Sequence, residues 1–441
     1  MVAAKRRLLF LCCLLFLGAV GVRAAFAQTI YLDITNPNFK KIPIAIPDFK
    51  YTSGQTQLAH QMAALLTRDL EISGVFQPLD PKGFPGDPQQ IGLSASQINF
   101  QTWAQLGADF LVRASYQVEG NSIRLNGSLF DATAGRLVGS PKSYGGGVNA
   151  WRQMVNAFAD DIMQMVTGQA GVFNTRIVYT QMVGGSKEIF VCGLDGGDPV
   201  QLTHDHSIDL SPVWSPDGSR IAYVSYKSGS PKIYIMNVAT GASRLVCGYT
   251  GMNITPAWRP GGGALAVALS KGGSQDIYLV NQSGQIERKL GVGFGSSVSV
   301  SPNWSPDGSK LAYVSNESGN PQIYIYDLSS GQKRRLTYSG KYNTSPAWSP
   351  KGDWIAYCGQ DGGGFDIYVI RPDGSDGHAL THGGRNEAPR WSPDGRMIVY
   401  TSNGTIHIMD ANGTGDWQLM SHPGGAQGLP DWSPRSDGNG K

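Results

Sequence analysis

The stretch that most constrains this chain is Trp214-Ser-Pro-Asp-Gly218, which returns as Trp304-Ser-Pro-Asp-Gly308 and Trp391-Ser-Pro-Asp-Gly395. Weaker copies stand at Trp258-Arg-Pro-Gly-Gly262, Trp348-Ser-Pro-Lys-Gly352 and Trp432-Ser-Pro434. Successive tryptophans are 44, 46, 44, 43 and 41 residues apart. A period of about 40–45 residues with a Trp signature is that of a four-stranded propeller blade.

Each copy continues alike. An apolar run follows the turn, as in Ile221-Ala-Tyr-Val-Ser225 and Leu311-Ala-Tyr-Val-Ser315, and a second run follows a Gly-rich loop, as in Ile233-Tyr-Ile-Met236 and Ile323-Tyr-Ile-Tyr326. These short β-branched and aromatic runs, bounded by Gly, Pro, Asn or Asp, read as strands. Their near-continuous apolarity predicts burial on both faces, as between stacked blades. In Ser-Pro-Asp-Gly, Pro presets its φ and Gly takes the positive φ of a tight hairpin, so the Asp is read as a turn-former, not a catalytic carboxylate. The unit from Arg176 to Thr203 has the later strands of a blade but no Trp, whereas Trp432 has the Trp strand alone. Joining these halves gives six blades and a ring without a free sheet edge, expected to be monomeric.

Residues 1–27 carry Lys5, Arg6 and Arg7, an apolar stretch from Leu8 to Val22, and Ala25-Phe-Ala27. That is the pattern of a secretory signal peptide, too short to span a bilayer. Four of the 36 Lys and Arg residues lie in this leader and none of the 33 acidic ones, so the mature chain is near neutral. It lacks the electrostatic footprint of a nucleic-acid binder. Lys333-Arg-Arg335 reads as a solvated strand edge. Cys192, Cys247 and Cys358, one per blade, are no disulfide framework and are expected to be buried thiols.

Residues 28–168 lack the repeat and read as one α/β domain, followed by the propeller over 169–441. Alternation at Ile30, Leu32 and Ile34 predicts a strand, and Lys41 to Pro47 another. Apolar spacing from Thr56 to Leu70 and from Val148 to Val166 predicts amphipathic helices. A short helix at Thr102–Leu106 and strands at Phe110–Val118, Ser122–Asp131 and Arg136–Ser140 lie between them, and Thr167 to Asn174 is the expected linker.

No Gly-x-Ser-x-Gly nucleophile motif, phosphate loop, Cys-x-x-Cys pair or dinucleotide fingerprint occurs. His204-Asp-His206 and His378 with His382 are weak metal signals, because His204 and His382 fill the same Leu-Thr-His slot of two blades. We therefore expect no cofactor, no metal and no catalytic residues. What remains is the set of variable loops before each Pro-x-Trp, at the opposite end of the inner strand from the Ser-Pro-Asp-Gly turn. These loops are read as carrying exposed-type residues around one mouth of the ring.

The leader, the α/β domain and the six Trp-Ser-Pro-Asp-Gly-type blades together resemble the TolB family, the periplasmic component of the Tol–Pal system of Gram-negative bacteria. Ala266-Val-Ala-Leu-Ser-Lys-Gly-Gly-Ser-Gln-Asp-Ile-Tyr278, Ile30-Tyr-Leu-Asp-Ile34 and Pro43-Ile-Ala-Ile-Pro-Asp-Phe49 are local points of similarity. The resemblance implies a non-enzymatic periplasmic adaptor. Its propeller loop face would bind the peptidoglycan-associated lipoprotein Pal through His206, Met252, Asn253, Thr255, Ser299, Val300, Asn343, Thr344, Asn386 and Glu387. Its mature N-terminal segment, Ile30, Tyr31, Leu32, Asp33, Ile34 and Thr35, would bind TolA by strand pairing. The family often has His where Met252 stands and Thr where Val300 stands, so the face would suit a diverged Pal. An exported propeller hydrolase, with convergent carboxylates or a metal in the central channel, is the alternative from another class.

Overall fold

The computed structural model describes residues 40–53, 56–293, 295–420 and 425–435. The signal-peptide stretch 1–27 and the Ile30–Thr35 segment lie outside the described residues. An α/β region is followed by a six-bladed propeller.

The first region is one sheet of β1 (Ile42–Ala45), β2 (Lys50–Ser53), β3 (Phe76–Pro78), β4 (Phe110–Glu119), β5 (Ser122–Asp131) and β6 (Arg136–Gly147). Its order is β3-β1-β4-β5-β6, with β2 pairing β4. β1 runs parallel to β3 and β4, whereas β4, β5 and β6 form an antiparallel meander. Helices α1 (Leu58–Ile72) and α3 (Trp151–Thr167) cover one face, burying Met62, Leu66, Leu70, Val155, Phe158 and Ile162 against Val112, Ala114 and Leu125. Each fully buried side chain of this size contributes about 1.5–3 kcal/mol. Gly127 sets how closely α3 approaches, because a Cβ there would lie 2.5 Å from the Phe158 ring.

On the other face Leu111 and Phe130 meet Trp103 of α2 (Phe100–Gln105). Buried Arg113 points the same way, and its guanidinium donates to the carbonyls of Pro88, Ile91 and Gly92. It thereby ties down the loop between β3 and α2. β6 runs seven residues past the expected Ser140, and α3 starts after a 3₁₀ turn at Val148–Ala150. β6 is an outer strand with a mostly exposed face, so no apolar pattern marks its second half.

The propeller closes as the repeat predicts. The C-terminal strand Gln427–Trp432 pairs antiparallel with β7 (Arg176–Val183), which continues into β8 (Ser186–Gly193) and β9 (Val200–Gln201). Ser433 N–H to Arg176 carbonyl (2.9 Å) and Trp432 Nε1 to Thr175 Oγ1 (2.7 Å) complete the seam. The second blade begins at β10 (Asp209–Trp214), and the inner strands of the others are Asn253–Trp258, Ser299–Trp304, Tyr342–Trp348 and Asn386–Trp391. Blade stacking buries the apolar runs on both sides: Ala222, Val224 and Ile233 pack with Trp258, Leu265 and Val267 of the next blade.

The tryptophans lie in these seams. Trp258 Nε1 donates to Val213, Trp304 to Ala257 and Trp391 to Ala347, each a carbonyl of the preceding blade. Arg176, Arg220 and Arg259 lie over the rings of Trp214, Trp258 and Trp304 at 4.9–5.5 Å. Trp348 differs: half-buried, it donates to Gly352 of its own turn. The three cysteines are buried free thiols, each pushed up to about 12 by burial.

The core beneath α1 and α3 runs without a break into Val399, Ile406 and Ile408 of the sixth blade and Ile177 and Tyr179 of the first. Arg152 pairs with Asp195, Arg68 donates to the Leu419 carbonyl (3.2 Å) and Arg396 to Gln169 Oε1 (2.5 Å). Asp195 and Arg396 stand at the Ser-Pro-Asp-Gly end of their blades. Among the described residues, these contacts of the α/β region therefore fall away from the opposite mouth, formed by the loops before each inner strand.

Candidate docking face

Six inner strands line a central channel, and each bends at the same point. Ser211, Thr255, Ser301, Ser345, Ala388 and Leu429 have φ of 48–54° and each immediately precedes a proline. Pairing to the second strand shifts register there, between Leu210 and Val213 in the second blade and at matching places in the rest. A left-handed non-glycine residue costs about 1–2 kcal/mol. Its recurrence around the ring marks a built bulge that turns the inner strand at the channel. In one seam Ser301 N–H donates to Thr255 Oγ1 (3.1 Å), which binds neighbouring bulges together.

The channel waist, where the Pro-x-Trp middle residues lie, holds one carboxylate among the described residues, Asp431. Arg390 Nε lies 3.4 Å from its Oδ1, and the Trp214 N–H donates to Oδ2 at 2.7 Å. Burial raises the Asp431 pKa to about 6 although Arg390 opposes the rise. Both carboxylate oxygens are thus already engaged, and a hydrolase of the two-carboxylate type needs a second free group there.

At the loop end the channel opens into a recess of about 710 Å³ lined by Thr180, Lys187, Tyr342, Thr344, Phe365 and Glu387 among others. The Tyr342 and Phe365 rings meet edge to face at 5.9 Å. Large apolar side chains are exposed around this mouth: Val183, Ile208, Met252, Val298, Tyr338 and Tyr342.

The expected site residues separate into two sets. His206 and Met252 are exposed, and Thr255, Val300, Thr344 and Glu387 half-buried. Asn253, Ser299, Asn343 and Asn386, by contrast, are buried, against the expectation of exposed-type residues. They occupy one repeated slot at the head of the inner strand, where their side chains hold the structure. Asn253 Nδ2 donates to the carbonyls of Pro231, Tyr249 and Gly251, fixing its own loop. Asn343 Nδ2 donates to Gln322 Oε1 (2.8 Å) and Asn386 Nδ2 to Asp366 Oδ1 (3.0 Å), tying the loop to the preceding blade. A buried amide that lost these partners would be left unsatisfied. Ser299 Oγ has no partner.

Lys187 and Phe365 also line the recess and were not anticipated from the sequence, whereas Tyr342 and Arg385 fall in the loops read as exposed but outside the expected contact residues. Tyr342 stands one residue before a slot already singled out and was legible as a loop aromatic. Lys187 and Phe365 come from the hairpins of neighbouring strands, and only the ring brings them to this mouth. The histidines form no converging set among the described residues; His407 Nδ1 instead meets Asp416 at 2.8 Å. Lys333-Arg-Arg335 bridges blades at the surface, with Lys333 paired to Glu317 and Arg334 donating to the Pro372 carbonyl.

Comparison with known proteins agrees with this geometry. Residues 163–436 match the TolB beta propeller domain and residues 30–138 the TolB amino-terminal domain. The chain is 39% identical over 217 residues to the Tol-Pal system protein TolB of Desulfosudis oleivorans, covering 48% of each chain. It is 38% identical over 216 residues to that of Syntrophotalea carbinolica, covering 48% of this chain and 49% of the other. It thus spans about half the length of the curated relatives it matches. The crystal structure of TolB from Acinetobacter baumannii superposes with a TM-score of 0.78 at 25% identity, covering 90% of this chain and 97% of that one. With both characteristic domains present in order and the propeller match alone covering more than half of the sequence, the chain belongs to the TolB family.

Proposed function

We propose that this chain is a non-enzymatic adaptor of the Tol–Pal system in the periplasm. Its loop face holds the lipoprotein Pal and its mature N-terminal segment, Ile30 to Thr35, holds TolA, linking the two in maintaining the outer membrane and drawing it inward at division. The observation that carries this reading is the recess at the loop end, lined by Tyr342, Phe365, Thr344, Lys187 and Glu387, together with Met252, Val298 and Tyr338 exposed on the loops that lead into the inner strands. The recess offers a partner two aromatic rings beside polar and charged groups, with Thr344 and Glu387 among its lining, while buried Asn253, Asn343 and Asn386 set the loop shapes and so act on docking through loop position. No helix among the described residues is long and apolar enough to cross a membrane.

The test is retention of Pal from envelope extract on the immobilised full chain. Glu387→Lys and Thr344→Lys are expected to abolish retention of Pal while TolA is still bound. Deleting residues 30–35 is expected to lose TolA and spare Pal. Retention of neither protein by the wild-type chain would refute the reading.

A further inference from the structure

The head-of-strand slot is filled differently at one junction. In the fourth blade Thr337 Oγ1 accepts from Ile323 N–H (2.9 Å) and donates to Gln322 Oε1 (2.8 Å), and Asn343 Nδ2 donates to the same Gln322 oxygen (2.8 Å). The fifth blade repeats this with Thr381, Ile367 N–H, Asp366 and Asn386. The first blade keeps Thr203, which accepts from Ile189 N–H (2.9 Å) and donates to Glu188 Oε2 (2.6 Å). There, however, the third member is Asp209, which has no N–H to give.

The consequence is a buried pair of carboxylates where the junctions of the fourth with the fifth and of the fifth with the sixth blade have a donor and an acceptor. Glu188 and Asp209 are 1% and 0% exposed. Among the described residues neither Asp209 oxygen has a hydrogen bond of good geometry, although the Ser225 and Thr203 hydroxyls lie near the carboxylate. Asp205, from the loop between β9 and β10, brings a third carboxylate, and ligand oxygens of all three lie within 4.8 Å of one another. Asp205 Oδ1 is also unpartnered, while Oδ2 faces Lys227 Nζ at 3.3 Å. Three negative charges against one lysine leave a deficit of two positive charges. Taking buried carboxylates from water without a counter-charge is among the most unfavourable arrangements a protein interior can hold.

We propose that Glu188, Asp205 and Asp209 form a divalent-cation site, of the calcium class, at the junction of the first and second blades. All three donors are carboxylate oxygens, which select hard cations over zinc or copper. The 4.8 Å limit on their separation equals twice a calcium–oxygen distance of about 2.4 Å, and water completes the shell. Thr203 Oγ1 and the His206 N–H, which donates to Glu188 Oε1 at 3.0 Å, orient the Glu188 carboxylate from behind. The ion does here what the asparagine amide does in the fourth and fifth blades: it supplies positive potential between two acceptors. It also fixes the loop carrying His206 and Ile208 at the rim of the docking face.

The test is calorimetric titration of the chelator-treated full chain with calcium chloride and, separately, magnesium chloride, paired with thermal unfolding. One equivalent of calcium is expected to bind with Kd of about 10⁻⁴ M or tighter, more tightly than magnesium, raising Tm by about 3 °C or more at saturation. Asp209→Asn restores the amide of the fourth–fifth and fifth–sixth junctions. It is expected to abolish uptake while unfolding, without metal, at or above the temperature of metal-free wild type. Asp205→Asn, at a partly exposed position, is expected to weaken binding at least tenfold with the fold intact. No calcium uptake and no change in Tm would overturn the site in favour of a proton shared by the two buried carboxylates. Uptake unchanged in both variants would place the ion elsewhere and overturn it equally.

Discussion

The two ends of each inner strand are built by different means. At the Ser-Pro-Asp-Gly end the bonds that shape the turn itself are local: Ser215 Oγ meets Asp217 Oδ1 (2.5 Å), Asp217 accepts from Ser219 N–H (3.0 Å), and Gly218 N–H returns to the Ser215 carbonyl (2.9 Å). The fourth and sixth blades repeat it at Ser305 and Ser392. Even the weak copy complies, since with Lys351 in the Asp position Ser349 takes Asp353 instead (2.6 Å). At the loop end, partners come from strands far apart in sequence, as in Asn343, Gln322 and Thr337. A local device survives substitution by shifting a residue or two. A device assembled across blades changes character at one substitution, as Asp209 does.

The largest break in this comparison comes from removing the strand that both ends depend on. Truncation before Gln427 leaves the inner edge of β7 without its partner strand and strips the α/β region of Trp432, which belongs to its core. The expected loss exceeds about 5 kcal/mol, comparable with the whole stability of a domain, so thermal unfolding followed by circular dichroism should lose its cooperative transition. Next comes the waist. Arg390→Met abandons Asp431 as a buried unpaired carboxylate and is expected to cost about 3–5 kcal/mol in urea unfolding, with Asp431→Asn in the same chain recovering most of it. Trp304→Ala is expected to cost about 3–5 kcal/mol. Trp348→Ala should cost about half as much, because that ring is half-buried and its indole bonds its own turn.

The same local and non-local division explains what could be read from sequence. The blade count, the closure and the seam-buried tryptophans were legible because one short phrase sets turn, strand start and anchor together. β3 was missed because Phe76–Pro78 is three residues long and pairs with β1 across α1. Asn253, Asn343 and Asn386 were read as exposed because polar loop residues usually are, and their acceptors lie in other loops or blades. The three-carboxylate junction was overlooked for the same reason. His204-Asp-His206 drew attention to the imidazoles, whereas Asp205 meets Glu188 and Asp209 only once β8 and β10 stand side by side.

The aspartates at the two ends titrate in opposite senses. Hydrogen bonds from Ser305 and Ser309 lower the Asp307 pKa to about 2, below the usual value of about 4. Its contribution is therefore present above about pH 4 and lost as pH falls towards 2. Asp307→Asn is expected to cost about 0.5–1 kcal/mol at neutral pH, as for one exposed turn hydrogen bond, with the two stabilities converging near pH 2. Asp209, raised to about 6, contributes fully below about pH 4, and that contribution is lost as pH rises through 6 when no cation is supplied. Equilibrium unfolding of wild type and both Asn variants from pH 3 to 8 would show the two slopes. Parallel profiles would remove the distinction between the ends.

The smallest expected change in stability tests the comparison most sharply. Tyr342 is 40% exposed at the loop end and leans edge-on against Phe365, so its ring adds little to the core. Tyr342→Ala is expected to leave Tm within about 2 °C of wild type, as for surface positions generally. An exposed aromatic lining a recess is nevertheless among the residue types enriched at binding hot spots. Pal binding to the variant should weaken by about tenfold or more, measured by surface plasmon resonance against Trp304→Ala at a temperature where both remain folded. Trp304→Ala should show the reverse pattern, with large destabilisation and affinity near wild type in the folded fraction. Equal affinities for Tyr342→Ala and wild type would mean that the recess is a void left by blade packing, and the loop face would lose its role as the working end of the ring.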